Sequence, residues 1–201
     1  MVRPKFNRNI EKRYHGKEAM PYKLACQMII WAALENPKLC LLLNLGFHAG
    51  LRHSDLVRVT KDQLISGKIE LQAKKTGKPE KRNLPDQFYD LCKQCNIYLG
   101  KLDKLPFMNH YKTGFITSGY VARKMKKILR DMSVDEEIVK NTATHTMRKT
   151  FATELHRILG GGDEATNQVG RLLGHESTRE TILYLGLDDE IINNAVSQFG
   201  K

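Results

Sequence analysis

Residues 144–185 read THTMRKTFATELHRILGGGDEATNQVGRLLGHESTRETILYL. In this segment His145 and Arg148 are spaced to share one face of a predicted helix. His175 follows a Leu-Gly turn, and Tyr184 lies in the next predicted helix, nine residues after His175. Two histidines, an arginine and a tyrosine without a cluster of carboxylates suit chemistry on a phosphate group that requires no metal. The segment therefore predicts a phosphate-binding site built on helices.

The composition is that of a folded protein with one domain. The chain has 201 residues, of which 41% are apolar, so it is long enough to bury a core. Its longest apolar run, 39–51, is interrupted by Asn44 and His48 and is too short to cross a bilayer. The first residues lack the pattern of a signal peptide. We therefore expect a protein of the cytoplasm or nucleoid with no membrane span.

The charge indicates a polyanionic partner. The formal net charge is +11, and the lysines and arginines are concentrated in residues 3–23, 68–82 and 123–130. Basic clusters of this kind are typical of proteins that bind nucleic acid. A solvated basic surface is the simpler alternative. Acidic lipid fits less well, because no terminal basic segment has a strongly apolar opposite face.

Apolar periodicity, caps and breakers predict a mainly helical chain. Helices are expected at about 21–34, 38–48, 54–59, 86–99, 118–132, 145–159, 163–173, 178–185 and 189–199. Residues 68–73 alternate as a strand, and a turn with Gly and Pro leads to a return strand at 81–84. With a short strand near Leu64, the predicted fold class is mainly α with a small three-stranded antiparallel β-sheet.

The ends of the predicted helices indicate their boundaries. Thr144 and Asp163 are predicted N-caps, and Ser177 with Glu180 forms a predicted capping box. Asp188 is predicted to cap the last helix. Residues 1–20 are basic and poor in apolar residues, so we expect a tail or linker there and one domain over 21–201.

The cysteines predict no metal site. Cys92 and Cys95 have the spacing of a zinc knuckle, but no second pair of Cys or His lies nearby to complete it. Both fall within a predicted helix at apolar positions. We therefore expect buried free thiols.

Each candidate residue has a structural interpretation when it is considered alone. Arg52 follows an apolar helix and could pair with Asp55 in an ordinary salt bridge. Arg148 lies beside an apolar stripe and is expected to be partly buried. Tyr184, in an apolar helix, would more often belong to a core. Two arginines held in this way could instead bind a phosphate bidentately.

Together the spacings resemble those of the tyrosine recombinases, the lambda-type phage integrases. The matching segments are Gly50-Leu-Arg52-x-x-Asp55-Leu, Lys75-Thr-Gly77 on the hairpin, His145-x-x-Arg148, Leu173-Gly174-His175, and Tyr184 nine residues later. The order of the segments is that of the family, and the resemblance covers about residues 20–200. It implies the catalytic-domain fold of the integrases and six catalytic residues, Arg52, Lys75, His145, Arg148, His175 and Tyr184.

The resemblance also implies a covalent mechanism without a cofactor or metal. Tyr184 would attack a DNA phosphate to form a 3′-phosphotyrosyl link, with His145 accepting its proton. Lys75 would protonate the leaving 5′-oxygen, although Lys74 and Lys78 share its turn. A tyrosine with an ordinary pKa near 10 needs such assistance to act as a nucleophile.

The other implied roles concern the phosphate and the partners. Arg52 and Arg148 would hold its non-bridging oxygens, and His175 would add a hydrogen bond. The implied partners are double-stranded DNA with specific target sites and further copies of the chain, as a tetramer in which the last helix docks on a neighbour. Apolar positions in 191–199 would allow that docking, or packing within one chain.

The chain departs from the family in two places. Residues 160–162 are all glycine and lengthen the interval from His145 to His175, so a surface loop is expected there. The helical domain that precedes the catalytic domain in many members is not found in this sequence. Either the sequence is a catalytic fragment, or it resembles the short recombinases that act as inversion switches.

Several other functions fit parts of the sequence. A metal-dependent nuclease would need converging carboxylates, whereas the acidic run at 188–190 is better explained as a helix cap. A metal-free nuclease would leave Tyr184 and Lys75 unexplained. A type IB topoisomerase or a telomere resolvase would use the same chemistry. A site-specific DNA-binding protein descended from recombinases would retain the basic surface and lose the chemistry.

Overall fold

The computed structural model describes residues 19–187, which form ten α-helices and one short hairpin. The helices are α1 (Tyr22–Glu35), α2 (Pro37–Ala49), α3 (His53–Leu56), α4 (Lys61–Ser66), α5 (Asp86–Gln94), α6 (Ser118–Asp131), α7 (Glu136–Asn141), α8 (His145–Ile158), α9 (Gly162–Leu173) and α10 (Thr178–Leu185). The strands are β1 (Lys68–Gln72) and β2 (Pro79–Asn83), and a 3-10 turn covers Leu99–Lys101. Residues 1–18 of the predicted tail (1–20) and the predicted last helix lie outside the described residues.

Helix α2 is the centre of the fold. The Asn36 side chain accepts hydrogen bonds from the backbone N–H groups of Lys38 and Leu39, and Pro37 occupies the first turn, so the helix begins sharply. Nearly every residue of α2 is buried, as its continuous apolar sequence predicts. Gly50 ends the helix with φ of 60°, where a Cβ would lie 2.1 Å from the Phe151 ring. This glycine therefore allows both the turn and the close approach of α8.

The apolar side chains form two clusters. The larger one contains α1, α2 and most of the chain as far as Met147. The smaller one joins α8, α9 and α10 through Ala152, Val169, Leu173 and Leu185, with Tyr184 packed on it. Arg52 therefore extends from the larger cluster and Tyr184 from the smaller one, so a site between them depends on how the two clusters pack.

The hairpin is antiparallel, with Lys68 opposite Asn83 and Gln72 opposite Pro79. The predicted third strand near Leu64 is wrong, because Leu64 is a buried residue of α4. Thr60 and Gln63 form a reciprocal capping box that starts this helix. Within residues 19–187 the sheet has two strands, and the rest of the predicted class, mainly α with a small antiparallel sheet, is confirmed.

The helix ends differ from the prediction in detail. Thr144 occupies the N-cap position of α8 but makes no capping hydrogen bond with its side chain. Asp163 lies in the first turn of α9, whose N-cap is Gly161. Ser177 caps α10 by accepting from the Glu180 N–H, whereas the Glu180 carboxylate accepts from the Glu176 N–H rather than from the cap residue. Helices α4 and α7 were not predicted.

The cysteines are free thiols, as predicted, and Cys92 and Cys95 are buried. The Asn44 side-chain amide donates to the Cys92 sulfur at 3.4 Å, and burial raises the pKa of that thiol to about 12. Cys92 is therefore a protonated core residue at neutral pH. No helix within the described part of the chain is long and apolar enough to span a membrane.

Candidate active site

Two arginines converge on the C-terminal end of α9. Arg148 donates from Nη2 to the Leu173 carbonyl at 2.7 Å and from Nη1 to the Gly50 carbonyl at 2.6 Å. Arg52 donates from Nη2 to the same Leu173 carbonyl at 3.3 Å. Carbonyls at helix C-terminal ends carry partial negative charge and favour cations. The ends of α2 and α9 therefore hold both guanidinium groups in place.

A buried ion pair on β2 supports this arrangement, and the sequence did not predict it. Glu80 accepts from Arg82 Nη2 at 2.6 Å, and its other oxygen lies 3.6 Å from Arg52 Nη1. Arg82 also donates to the carbonyls of Ala49 at 3.0 Å and Leu172 at 2.6 Å. Glu80 and Arg82 are two residues apart on a strand and so face the same side. That alternation was the one available signal, and the predicted return strand began only at Lys81.

The cluster has more positive than negative charge. Arg52 and Arg82 pair with the single carboxylate of Glu80, Arg148 lies within range of its charge, and Arg52 Nη1 is buried without a hydrogen bond to any described residue. Burial lowers the pKa of Arg148, and the positive charge of Arg52 lowers it further. A buried cationic donor that makes no hydrogen bond is costly. The site therefore favours an anion with acceptor oxygens, as a phosphate diester has.

Asp55 binds the hairpin and not Arg52. The alternative of an ordinary Arg52–Asp55 salt bridge is not found, because Asp55 Oδ1 accepts from Arg58 Nη2 at 2.7 Å and from the backbone N–H of Lys74 at 2.8 Å. Arg58 also donates to the Gln72 carbonyl at 2.5 Å. Asp55 thus anchors the turn that follows β1, leaving Arg52 to the Glu80 side of the site.

Lys75 lies in that turn and is exposed, as are Lys74 and Lys78. The turn closes through a hydrogen bond from the Gly77 N–H to the Ala73 carbonyl at 2.8 Å. Lys75 is among the positive charges that lower the pKa of His145, so it lies within electrostatic range of that imidazole. Lys75 is the predicted residue with the fewest constraints on its side chain.

His145 is the first residue of α8 and has an exposed side chain. Desolvation by the surrounding protein lowers its pKa, and the charges of Arg148 and Arg52 add to this effect. The imidazole is therefore neutral at pH 7 and has a nitrogen lone pair available to accept a proton.

His175 lies edge-on to Tyr184, with ring centroids 5.2 Å apart and an angle of 71° between the planes. Desolvation lowers the pKa of His175; Glu180 opposes this effect, whereas Arg148 and Arg52 add to it. Its Nδ1 atom lies 3.0 Å from the Thr181 hydroxyl. The His175 imidazole is thus neutral at pH 7, and its Nδ1 side is fixed by the Thr181 hydroxyl.

The hydroxyl of Tyr184 is buried and has no hydrogen-bond partner among the described residues. Burial raises the pKa of Tyr184, and the nearby charges of Arg148 and Arg52 lower it in part. Arg148 lies close enough to lower this pKa, although no hydrogen bond joins the two groups. A tyrosine with a purely structural role usually pairs its hydroxyl when it is buried. This tyrosine therefore has the features of a group that awaits a partner.

The structure brings the predicted residues to one place. Arg52 and Arg148 both donate to the Leu173 carbonyl. The positive charge of Arg148 lowers the pKa values of Tyr184, His145 and His175. Within residues 19–187, no three His, Cys, Asp or Glu side chains are grouped so that they could hold a metal ion.

Comparison with known proteins identifies the family. Residues 27–190 match the model of the Phage integrase family, which is most of the chain. The chain belongs to the phage integrase family. The predicted resemblance to the tyrosine recombinases is thereby confirmed. No curated protein sequence matches the chain.

Solved structures share this integrase fold at low sequence identity. XerA recombinase is 18% identical with a TM-score of 0.64 over 92% of this chain and 66% of its own. XerH bound to a palindromic difH substrate is 18% identical with a TM-score of 0.64 over 93% of this chain and 54% of its own. The catalytic domain of bacteriophage HP1 integrase is 18% identical with a TM-score of 0.52, over 92% of this chain and 99% of that domain. The chain spans about half to two thirds of the XerA and XerH chains and nearly all of the HP1 domain.

Proposed function

We propose that this integrase is a site-specific DNA recombinase that cleaves and rejoins DNA through a 3′-phosphotyrosyl intermediate, without a metal. The observation that carries the proposal is the buried hydroxyl of Tyr184 beside Arg148, which makes no hydrogen bond to any described residue. A scissile phosphate held by Arg148 and Arg52 would lie next to that hydroxyl. Arg52 Nη1, which lies 3.6 Å from Glu80 but makes no hydrogen bond to a described residue, would then gain a hydrogen-bond acceptor.

In the cleavage step, the Tyr184 oxygen attacks the phosphorus and the bond from phosphorus to the 5′-oxygen breaks. His145 accepts the phenolic proton, and Lys75 gives a proton to the departing 5′-oxygen. The DNA strand ends with its 3′-phosphate on Tyr184 and a free 5′-hydroxyl. The reverse reaction, with the hydroxyl of another strand, rejoins the DNA.

The electrostatics of the site support these roles. The raised pKa of Tyr184 keeps the phenol protonated at neutral pH, so attack needs a base. The lowered pKa of His145 leaves that base unprotonated. Arg52 and Arg148 bind the non-bridging oxygens and stabilise the charge of the transition state, which is the largest contribution that a preorganised site makes.

Double-stranded DNA with specific target sites is the proposed substrate. The net charge of +11 supports a polyanionic partner. XerH has been solved bound to a difH substrate, and lambda integrase has been solved as a dimer bound to a COC′ core site. On this basis we assign residues 21–201 to the catalytic domain and 1–20 to a tail or linker, and place the protein with the DNA of the nucleoid.

We further propose that copies of the chain assemble as a tetramer on paired sites through the C-terminal residues. The predicted apolar positions, Ile191, Ile192, Ala195, Val196 and Phe199, lie outside the described residues. An open apolar groove between α1, α2 and α8, lined by Tyr22, Phe47, Phe151, Leu155 and Ile158, offers them a surface on a neighbouring copy. Ile158 is 66% exposed there. Chemical crosslinking on DNA should capture oligomers that Ile158→Asp prevents.

The test uses a pool of nicked duplexes with a randomised segment, because the target sequence is not known. The chain is incubated with the pool, the reaction is stopped in SDS, and DNA that stays attached to protein is recovered and sequenced. We expect enrichment of one sequence class with the native chain and no adduct with Tyr184→Phe. Absence of adduct from the native chain would contradict the covalent mechanism and favour a DNA-binding protein that has lost its chemistry.

A type IB topoisomerase or a telomere resolvase would give the same adduct. The products distinguish them, because a recombinase joins strands from two duplexes that both carry the recovered sequence. Relaxation of supercoiled DNA without such joints would favour the topoisomerase.

A further inference from the structure

Thr181 is a fully buried threonine in the first turns of α10, and its hydroxyl faces His175. Thr181 Oγ1 lies 3.0 Å from His175 Nδ1 and 3.5 Å from the Ser177 carbonyl. A threonine hydroxyl has one proton to donate. A distance of 3.5 Å is long for a hydroxyl donor, whereas 3.0 Å is within the normal range. The proton of Thr181 is therefore directed to His175 Nδ1.

Gly170 makes this contact possible. A Cβ at Gly170 would lie 2.5 Å from Thr181 Oγ1, so the hydroxyl fills space that a glycine leaves open. The backbone N–H of His175 donates to the Gly170 carbonyl at 3.0 Å. The packing of α9 against α10 thus fixes both the backbone and the ring of His175.

We propose that Thr181 is a positioning residue that holds His175 in the tautomer with its proton on Nε2. The role of this tautomer rests on the proposed function, in which Nε2–H donates to a non-bridging oxygen of the phosphate. With the proton on Nδ1, the Nε2 lone pair would face those oxygens and repel them. The hydroxyl of Thr181 prevents that state because it occupies Nδ1 as a donor.

The groups around the His175 imidazole keep it neutral. Because a neutral imidazole carries only one N–H, its tautomer decides which nitrogen can donate. Glu180 lies 4.0 Å from Nε2 and favours the imidazolium. Arg148, Arg52 and burial disfavour it and prevail, giving a lowered pKa. Tyr184, which packs edge-on to the ring, has a raised pKa and is uncharged at neutral pH.

A purely structural role for Thr181 predicts the opposite tautomer. If its hydroxyl donated to the Ser177 carbonyl within the helix, its oxygen would accept from Nδ1–H. The native chain labelled with ¹⁵N-histidine and free of DNA distinguishes these cases by long-range proton–nitrogen NMR at neutral to mildly alkaline pH. His175→Gln identifies the His175 signals. We expect an unprotonated Nδ1 and a protonated Nε2.

The variants sharpen this experiment. Thr181→Val keeps the shape without the hydroxyl and should give a mixture of both tautomers, whereas Thr181→Ser should retain Nε2–H. A native ring protonated on Nδ1, or an unchanged tautomer in a folded Thr181→Val, would overturn the proposal. If Thr181→Val does not fold, the tautomers of His175 in the native chain and in Thr181→Ser still test whether Thr181 donates to Nδ1.

Cleavage supplies the second readout, on the nicked duplex recovered from the pool. Without the Thr181 hydroxyl, part of the His175 population would lose its hydrogen bond to the charged phosphate. We therefore expect Thr181→Val to slow adduct formation about 10- to 100-fold. Thr181→Ser should restore most of that rate. The matched control is Thr178→Val on the same helix, where the exposed hydroxyl bonds Asn167 at 2.7 Å and the rate should not change.

In a His175→Gln background, Thr181→Val should slow the reaction no further, because Thr181 acts through His175. An additional loss there would assign Thr181 another role and overturn the proposal. Failure of the native chain to form any adduct would contradict the proposed function, while the NMR result would still test the tautomer.

Discussion

The arginine side chains of the site are fixed by hydrogen bonds, whereas the lysine side chains are exposed to solvent. Arg82 and Arg148 are buried and bonded to carbonyls at helix ends, and Arg52 shares one of these carbonyls. Lys75 and its neighbours on the hairpin turn are exposed. Fixed guanidinium groups suit an anion that must stay in one position, whereas a mobile ammonium suits delivery of a proton to a leaving group.

Even so, the hairpin is not loosely attached. Asp55 accepts from the Lys74 N–H at 2.8 Å, and Arg58 ties the Gln72 carbonyl to the same carboxylate. The base of the turn is thus anchored to α3 while its lysine side chains extend into solvent. The arginines and the lysines therefore differ in the freedom of their side chains and not in how firmly their backbone is held.

Arg148→Lys should lower the rate of adduct formation most, by about 10³-fold. Lysine keeps the positive charge but cannot replace two carbonyl contacts and a phosphate clamp with one ammonium. DNA affinity, measured by fluorescence anisotropy at constant salt, should change little in comparison. A near-native cleavage rate would show that charge is sufficient and that the fixed guanidinium geometry is unimportant.

Lys75→Ala should lower cleavage by about 10²-fold, within the range for general acid catalysis. A DNA substrate with sulfur in place of the scissile 5′-oxygen should restore the rate, because a thiolate leaves without a proton. Lys78→Ala is the control on the same turn and should cleave normally. If Lys78→Ala abolished cleavage and Lys75→Ala did not, the assignment of Lys75 would be wrong.

Glu80→Gln should destabilise the fold by about 2 kcal/mol, because it removes the charge of a buried acceptor shared by Arg82 and Arg52. The matched control is Glu70→Gln, which removes an exposed pair with Lys81 and should cost no more than about 0.5 kcal/mol. Urea unfolding measures both. Equal effects of the two substitutions would contradict a structural role for the buried network.

The smallest effect concerns pH. Desolvation lowers the pKa values of His48, His53, His145 and His175, so the unfolded chain binds protons that the folded chain excludes. The histidine contribution to the free energy of unfolding should be fully present above about pH 7.5 and decrease as the pH falls through the ordinary histidine pKa of about 6.5 towards the lowered folded values. Urea unfolding at a series of pH values measures it, and His145→Gln should reduce the slope. Increasing stability on acidification would contradict these directions.

Local patterns predicted the helices that carry the site. The spacing of His145 and Arg148 and the Leu-Gly turn before His175 place these side chains without knowledge of the tertiary structure. The glycine turn at 160–162 was also predicted, and α9 begins there. These features depend on residues that are close together in the chain, so they can be predicted from the sequence alone.

Contacts between distant segments were not predicted. Arg82 donates to the carbonyls of Ala49 and Leu172, at the ends of α2 and α9, which no local pattern in β2 reveals. Proximity in sequence allows an Arg52–Asp55 pair, but Asp55 accepts from the Lys74 N–H on the hairpin instead. Leu64 was assigned to a strand because a short apolar segment is ambiguous between helix and strand.

The most direct test of the covalent mechanism is to identify the residue that carries the DNA. The adduct from the nicked duplex is digested with nuclease and protease, and the modified peptide is sequenced by tandem mass spectrometry. The mechanism predicts a nucleotide joined through its 3′-phosphate to Tyr184. A nucleotide on any other residue, or a link through a 5′-phosphate, would contradict it.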